Sequence, residues 1–208
     1  MKILFQGDSV TDGGRDRCNT RDMGEGYPKY ASVMIQDTYP DIEFDFINLG
    51  ISGDRAEDLA SRLDSDFIEI RPDIVSIMIG INDAMWKHLY GVEVTDADFE
   101  RHYENVLKSI KFLTNAKILV IQPFELDPNI TAEAKADLAS KQGIVKKLAD
   151  EYADAYLPLA DILADVEEEE RSTYSDDGYH PNSDGACYIG EQYLNAIMPL
   201  IEELNEDD

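Results

Sequence analysis

The chain has 208 residues and a mass of 23.4 kDa. This length predicts a single domain over residues 1–208, with a core large enough to need neither a disulfide nor a metal for stability. The 44 acidic residues exceed the 18 lysines and arginines by 26, and a surface of that charge repels nucleic-acid phosphates and anionic lipid headgroups. No apolar run approaches the ~20 residues of a membrane span. We therefore expect no nucleic-acid partner and no membrane insertion.

The amino terminus and the two cysteines favour a cytoplasmic protein. The apolar run in the opening sequence MKILFQGDS is too short for a secretory signal. Cys18 and Cys187 belong to no CxxC pair, which is typical of isolated thiols in a reducing compartment. The sequence leaves one bridge between them open.

Short apolar segments alternate with longer amphipathic ones along the chain. The predicted strands are Lys2–Gln6, Ile42–Asn48, Asp73–Ile79, Ala116–Gln122 and Ala155–Leu159. The predicted helices between and after them are Tyr27–Asp37, Arg55–Phe67, Asp96–Leu113, Thr131–Tyr152 and Ser183–Leu204, with Thr95, Thr131 and Ser183 as N-cap candidates. This alternation predicts an α/β protein with a mostly parallel sheet, helices on both faces and a ligand site at the carboxyl ends of the strands.

Short polar motifs follow two of the predicted strands. The first strand leads into Gly7-Asp8-Ser9, which brings a serine to the edge where the N–H groups of a following helical turn favour negative charge. The third strand leads into Gly80-Ile81-Asn82-Asp83, which brings an amide donor to the same edge. Taken singly, each motif is equally typical of a helix cap or a turn.

Two further motifs supply the groups that a serine at this edge would need. The second strand leads into NLGISGD, in which the two glycines Gly50 and Gly53 leave the backbone exposed enough to donate N–H groups. Before the last helix, in the sequence DGYHP, Asp177 and His180 are close enough for the carboxylate to accept a hydrogen bond from Nδ1 and leave Nε2 to take a proton. Acyl transfer requires a nucleophile, a base with its orienting acid, and donors to the oxyanion, and the motifs together supply all of these groups.

These motifs, in this order, resemble the GDSL/SGNH hydrolase family, whose four blocks carry Ser, Gly, Asn and His. The matches span nearly the whole chain: GDSV at Gly7–Val10, Gly53 in LGISGD, GIND at Gly80–Asp83 and DGYHP at Asp177–Pro181. The first block has Val10 where the family name has Leu, which keeps an apolar residue.

The resemblance implies a three-layer α/β/α flavodoxin-like sandwich with a five-stranded sheet in the order 2-1-3-4-5. It also implies a serine-dependent carboxylic ester hydrolase with Ser9 as nucleophile, His180 as general base and Asp177 as orienting acid. The backbone N–H groups of Ser9 and Gly53 and the side-chain amide of Asn82 would form the oxyanion hole. The family implies no metal and no cofactor.

The substrate is less strongly indicated. The chain has no long lid segment and no large apolar insertion, which favours a small ester with a short acyl group, such as acetyl on a carbohydrate. Met85 and Trp86 follow the third motif and are candidates to line the pocket or to stack on a sugar ring. Arg15, Arg17 and Arg21 cluster after the serine motif in a chain poor in cations, and they are candidates to bind a carboxylate or phosphate on the substrate, with Arg15 the foremost. Asp8 and Asp83 are the remaining candidates for substrate contact.

Other functions stay open. A lysophospholipase or thioesterase of the same family would favour a longer acyl chain. A catalytically inactive carbohydrate-binding relative would keep the fold without the reaction, although all four motifs are intact. The absence of GxGxxG and GxxxxGK[ST] disfavours a nucleotide-binding protein, and the absence of GxSxG around Ser9 disfavours the α/β-hydrolase class. The sequence leaves self-association into a homo-oligomer open.

Overall fold

The computed structural model of the chain describes residues 1–127 and 129–206. Its strands are β1 (Lys2–Gly7), β2 (Asp45–Asn48), β3 (Ile74–Met78), β4 (Lys117–Ile121) and β5 (Ala155–Leu157). They form one sheet in the order β2-β1-β3-β4-β5, and every neighbouring pair is parallel. The predicted α/β class and strand order are confirmed.

Helices cover both faces of this sheet. In chain order they are α1 (Ser9–Asp12), α2 (Tyr27–Thr38), α3 (Ala56–Ser61), α4 (Ile81–Tyr90), α5 (Asp96–Leu113), α6 (Ala132–Tyr152), α7 (Leu159–Ala164), α8 (Glu168–Arg171) and α9 (Ser183–Glu206). Helices α2 and α9 pack with Ile3 and Phe5 of β1, whereas α3, α5 and α6 pack with Leu4. Successive side chains of a strand point to opposite faces, so β1 contributes to both halves of the core.

Aromatic packing connects the last helix to the first strand. The ring of Phe5 lies 5.1 Å from that of Tyr193 on α9 and 6.0 Å from that of Tyr27 on α2. All three rings are almost fully buried, and each such burial contributes roughly 1.5–3 kcal/mol. Because the DGYHP loop leads directly into α9, this packing holds the loop close to the strand that precedes Ser9.

The predicted helix Arg55–Phe67 is wrong in its second half. Helix α3 ends at Ser61, and a single π-helical turn covers Asp64–Ile68. Arg62 lies at the break, where its guanidinium binds both Asp54 and Asp66. The bond to Asp54 spans α3, because Asp54 precedes this helix and Arg62 follows it. A periodic pattern of apolar residues does not predict such a contact between polar side chains.

Element ends differ where polar groups or proline intervene. Thr95 and Thr131 cap α5 and α6 as predicted. The prediction that Ser183 caps the last helix is wrong, because Asn182 Oδ1 accepts the N–H groups of the first turn at 3.1 and 3.2 Å. The fifth strand ends before Pro158, which has no N–H for strand pairing. The second strand begins only at Asp45, three residues later than predicted.

Two further features bear on the surroundings of the chain. Among the described residues, no helix combines the length and the apolar composition required to cross a membrane. Cys18 is exposed and Cys187 is partly buried, and both are free thiols. The bridge that the sequence left open is therefore not formed.

Candidate active site

Ser9 lies at the carboxyl end of β1, where the chain turns into α1. The side chain of Asp8 caps this short helix by accepting the N–H of Val10 at 3.1 Å. A Cβ on Gly7 would lie 2.4 Å from the carbonyl oxygen of Met78 on the neighbouring strand. Only glycine at this position therefore allows β1 to lie so close to β3 before the turn. This close packing fixes the position of Ser9 relative to the end of β3.

A chain of hydrogen bonds joins Ser9 to His180 and Asp177. Ser9 Oγ lies 3.0 Å from His180 Nε2, and His180 Nδ1 lies 2.8 Å from Asp177 Oδ2. The other carboxylate oxygen accepts the backbone N–H groups of Tyr179 and His180, at 2.8 and 2.7 Å. One carboxylate thus orients both the imidazole ring and the backbone that carries it. Three side chains that the sequence predicts to act together are within hydrogen-bonding reach, although Ser9 and His180 are 171 residues apart.

These hydrogen bonds also keep Asp177 ionised. Partial burial acts to raise the pKa of this carboxyl, but the bonds from the backbone and ring of His180 and from the backbone of Tyr179 outweigh it and hold the pKa well below its ordinary range. The side chains of Asp177 and His180 are each 55% exposed. A substrate much bulkier than the ester itself can therefore reach the imidazole.

The loop that carries these two side chains has its own supports. Ser175 Oγ accepts the N–H of Gly178 at 2.9 Å and donates to the carbonyl of His180 at 2.8 Å. Gly178 has a φ of +82°, and a Cβ there would lie 3.0 Å from the Cβ of Asp127. The N–H of Leu126 donates to the Gly178 carbonyl at 3.1 Å. The segment after β4 thus braces the loop, a contact for which the sequence has no signal.

Gly53 and Asn82 lie at the same edge of the sheet as Ser9. Gly53 has a φ of +91°, a conformation that favours glycine. Asn82, in the first turn of α4, donates one Nδ2 hydrogen to the carbonyl of Asp54 at 2.9 Å. An amide nitrogen carries two hydrogens, so a second one is left for a substrate oxygen. Both residues line a cavity together with Ser9 and His180.

Buried polar side chains hold the loop that carries Gly53. Asp12 Oδ2 accepts the N–H of Ser52 at 2.9 Å, and Asn48 Oδ1 accepts the N–H of Gly50 at 2.9 Å. Asn48 Nδ2 also donates to a backbone carbonyl of α1 at 2.8 Å. Neither Asp12 nor Asn48 is among the predicted site residues. The only feature of the sequence that marks them is their position, shortly after the serine motif for Asp12 and at the end of β2 for Asn48.

Asp8 and Asp83 lie beneath this edge with exposed fractions of 1% and 2%. Both oxygens of Asp83 accept the N–H of Ala56, at 3.3 and 3.2 Å. Burial, the main cause, raises the pKa of both carboxyl groups to about 7, and the charge of Asp83 adds to the shift of Asp8. Their side chains bind backbone N–H groups, and neither lines a cavity that contains Ser9. Contact with substrate stays a prediction for this pair.

One of two cavities at Ser9 is apolar, with a volume of about 500 Å³, and we call it the aromatic groove. Beyond Ser9, Val10, Ser52, Gly53, Asn82 and His180, it is lined by Ile81, Met85, Trp86, Leu89, Tyr90, Val92 and Tyr179. The Arg55 guanidinium lies 4.6 Å from the Trp86 ring centroid, and the Tyr90 ring meets Trp86 edge-on at 5.7 Å. These contacts fix the indole, and the predicted pair Met85 and Trp86 both face the groove.

The other cavity, of about 490 Å³, has several charged side chains in its lining, and we call it the arginine pocket. It is lined by Ser9, Val10, Asp12, Gly13, Gly14, Arg15, Arg17, Glu25, Gly26, Tyr27, Ser52, His180 and Pro181. Arg17 forms an ion pair with Asp12 at its rim. Arg15, also a predicted site residue, lies in its wall. The two cavities meet at Ser9 and His180, so a substrate can extend to both sides of the serine.

The remaining histidines lie in other surroundings. His88 Nε2 is 2.8 Å from Asp137, and His102 Nε2 is 3.0 Å from the Arg101 guanidinium. Within residues 1–127 and 129–206, no group of three or more His, Cys, Asp or Glu side chains has an arrangement that could hold a metal ion.

Comparison with known proteins identifies the family. The model of the GDSL-like Lipase/Acylhydrolase family matches residues 5–186. An acetylxylan esterase of Geobacillus stearothermophilus is 31% identical over 94% of this chain and 93% of its own. A multidomain esterase of Ruminococcus flavefaciens is 24% identical over 95% of this chain, which corresponds to 28% of that protein. The chain belongs to the GDSL-like lipase/acylhydrolase family and is a carboxylic ester hydrolase, as its four motifs predicted.

Solved structures agree with this assignment. Axe2, an acetylxylan esterase from Geobacillus stearothermophilus, matches with a TM-score of 0.82 at 28% identity, over 93% of this chain and 92% of its own. A GDSL-like lipase from Parabacteroides merdae matches with a TM-score of 0.87 at 27% identity, over 93% of this chain and 94% of its own. The family fold therefore extends over nearly the entire chain.

Proposed function

We propose that this esterase removes acetyl groups from carbohydrate through an acyl-enzyme on Ser9. In this proposal His180 is the general base and Asp177 orients it. The oxyanion is held by the backbone N–H groups of Ser9 and Gly53 and by the side-chain amide of Asn82. The observation that carries the proposal is the unbroken hydrogen-bonded series from Ser9 Oγ through His180 to Asp177, at 3.0 and 2.8 Å.

The reaction runs in two steps. Ser9 Oγ attacks the ester carbonyl while His180 Nε2 takes its proton, and the negative charge that develops on the carbonyl oxygen is stabilised by Gly53, Asn82 and the N–H of Ser9. His180 then gives the proton to the leaving alcohol, which departs. Water attacks the acyl-enzyme while His180 takes its proton. The proton then passes from His180 to Ser9 Oγ as the bond between the acyl carbon and Oγ breaks, and acetate leaves. Asp177 stays ionised throughout and stabilises the imidazolium that forms twice per cycle.

Two observations support carbohydrate as the alcohol. The rings of Trp86 and Tyr90 line the aromatic groove and are of the kind on which sugars stack. The groove begins at Ser9 itself. The exposure of the imidazole leaves room for an oligosaccharide on the side where the leaving group must receive its proton. The similarity to an acetylxylan esterase supports the same class of substrate.

A second candidate activity, hydrolysis of lysophospholipids or thioesters, has support from the apolar side chains of the groove. Leu89, Tyr90 and Val92 are 55%, 69% and 40% exposed, and such a surface could also accept a long acyl chain. A series of 4-nitrophenyl esters from C2 to C12 separates the two activities. A maximum kcat/KM at C2 supports the acetylesterase, and a maximum at C8 or longer contradicts it.

Labelling by a fluorophosphonate tests the nucleophile and the inactive-relative alternative together. We expect the wild-type chain to be labelled stoichiometrically on Ser9 and Ser9→Ala to remain unlabelled and inactive. The Ser52→Ala variant is the matched control, because its hydroxyl lines the same cavities. Absence of labelling in the wild-type chain, or labelling that persists in Ser9→Ala, contradicts the proposal. A screen of acetylated sugars, run beside the same variants, then identifies the alcohol.

We also propose a cytoplasmic location for this single catalytic domain. The two free thiols support a reducing compartment.

A further inference from the structure

The guanidinium of Arg15 is buried in the wall of the arginine pocket with little to bind. The residue is 7% exposed. Its one hydrogen bond to the described part of the chain runs from Nε to the carbonyl of Gly50 at 3.1 Å. Nη1 is buried without a partner, and no described carboxylate forms an ion pair with this arginine. Four of its five N–H donors therefore have no acceptor in the described protein.

Such an arrangement is costly unless a ligand completes it. A buried charge is normally paired, because removing it from water costs several kcal/mol. Burial is the main cause that lowers the pKa of Arg15, and the charge of Asp12 only partly offsets it. Asp12 is itself engaged, since the same oxygen binds Arg17 and the N–H of Ser52. Within the described part of the chain, Nη1 and Nη2 have no hydrogen-bond acceptor.

The position of Arg15 relates this unpaired charge to the ester. Its pocket shares Ser9 and His180 with the aromatic groove, so one substrate molecule can place its ester at Ser9 and another group in the pocket. The pocket also contains the carboxylates of Asp12 and Glu25, each with one cationic partner, Arg17 and Lys29. Arg15 is the one cation without an ion-pair partner among the described residues that line this pocket, and a single such charge matches a ligand with one negative charge better than a phosphate dianion.

We propose that Arg15 binds a carboxylate carried by the substrate, and that the enzyme therefore prefers acetyl esters of acidic sugars. A guanidinium forms strong, charge-assisted hydrogen bonds with carboxylate oxygens, and Nη2 is the terminal nitrogen that the protein does not enclose. This inference rests on the proposed function for the identity of the reaction, but the binding of a sugar carboxylate can be tested without turnover.

Competition with a chromogenic ester measures this preference. Glucuronate, glucose and glucose 6-phosphate are compared as inhibitors of 4-nitrophenyl acetate hydrolysis by the wild-type chain. We expect glucuronate to have an inhibition constant about 10- to 100-fold lower than glucose, the range expected for hydrogen bonds to a charged group. Arg15→Gln should abolish this difference. Arg15→Lys, which keeps the charge but not the guanidinium, should retain part of it.

The control is Arg101→Gln, which makes the same change of charge at a side chain that is 65% exposed on α5 and absent from both cavities at Ser9. It should keep the full preference for glucuronate. Equal inhibition by glucuronate and glucose overturns the proposal, as does stronger inhibition by glucose 6-phosphate. A loss of kcat in Arg15→Gln without any change in the inhibitor ratio overturns it too, because that result shows a purely structural role through Gly50.

Direct titration of Ser9→Ala with glucuronate separates this inference from the proposed function. If the wild-type chain does not hydrolyse acetyl esters but Ser9→Ala binds glucuronate in an Arg15-dependent way, the proposed activity fails and the carboxylate site stands. If acetyl esters are hydrolysed and glucuronate does not bind, the reverse holds.

Discussion

Replacement of Asn82 by alanine tests the oxyanion hole at the one donor that belongs to a side chain. A single such donor stabilises the transition state by about 3–4 kcal/mol in comparable enzymes. Each 1.36 kcal/mol is about a factor of ten in rate, so Asn82→Ala should lower kcat about 10²- to 10³-fold. The KM should change little, because the charge that the amide stabilises develops only in the transition state.

The structure also defines what else this substitution removes. Asn82 Nδ2 donates to the carbonyl of Asp54, so the variant loses one anchor of the loop that carries Gly53. The same loop keeps its bonds from Ser52 to Asp12 and from Ala56 to Asp83. We therefore expect the loop to stay in place and the loss of kcat to come from the missing donor.

Steady-state kinetics with 4-nitrophenyl acetate provide the measurement, and Asp83→Ala provides the control. That variant removes an anchor of the same loop but no donor to the oxyanion, so its kcat should fall less than about tenfold. Circular dichroism and thermal melting establish that both variants are folded. An Asn82→Ala enzyme with full kcat would exclude the amide from the mechanism. Equal losses in both variants would show that loop position, and not the donor, accounts for the effect.

Three other substitutions test separate parts of the structure. Gly178→Ala should destabilise the loop that carries Asp177 and His180 by about 1–3 kcal/mol and lower kcat, because alanine is strained at φ +82° and its Cβ would press on Asp127. An unchanged melting temperature and an unchanged kcat would contradict the role of Gly178 in supporting this loop. Asp83 has a pKa raised to about 7 by burial, so it favours folding in its protonated form and loses that contribution as the pH rises to 7. Asp83→Asn should therefore gain about 3 kcal/mol relative to wild type between pH 5 and pH 8 in urea unfolding, and a difference independent of pH would refute the shift. Trp86→Ala should raise KM for an acetylated xylo-oligosaccharide about 3- to 10-fold and leave 4-nitrophenyl acetate unaffected, whereas equal effects on both would argue against sugar stacking.

Local sequence pattern was sufficient for the framework of the fold. The strands before Ser9 and Asn82 are short apolar runs buried on both faces, and such runs stand out against charged helices. Threonine caps marked the starts of α5 and α6 because their hydroxyl groups act on N–H groups only three residues away. Prediction failed where a partner outside the local segment determines the structure. The predicted helix Arg55–Phe67 breaks at Arg62, whose guanidinium binds Asp54. The helix α4, which carries Asn82, was not predicted.

The same division applies to the candidate site. Ser9, His180 and Asp177 could be selected from sequence because each stands in a short motif beside an element end. No motif marks Ser175, which supports the catalytic loop through the packing of two turns. The charge state of Asp83 likewise depends on burial beneath α3, which a linear sequence does not contain.

The sequence by itself determined the alternation of strands and helices, the four motifs that carry the chemical groups and the edge of the sheet that these motifs follow, since all of these depend on neighbours along the chain. The strand order was an implication of the family resemblance. The tertiary structure alone decided which donors remain free. Arg15 is one of several arginines in sequence, and only the packing of its loop against Gly50 buries it beside the serine with no ion-pair partner among residues 1–127 and 129–206. The physical reason is that burial and the pairing of charges depend on contacts between segments far apart in the chain.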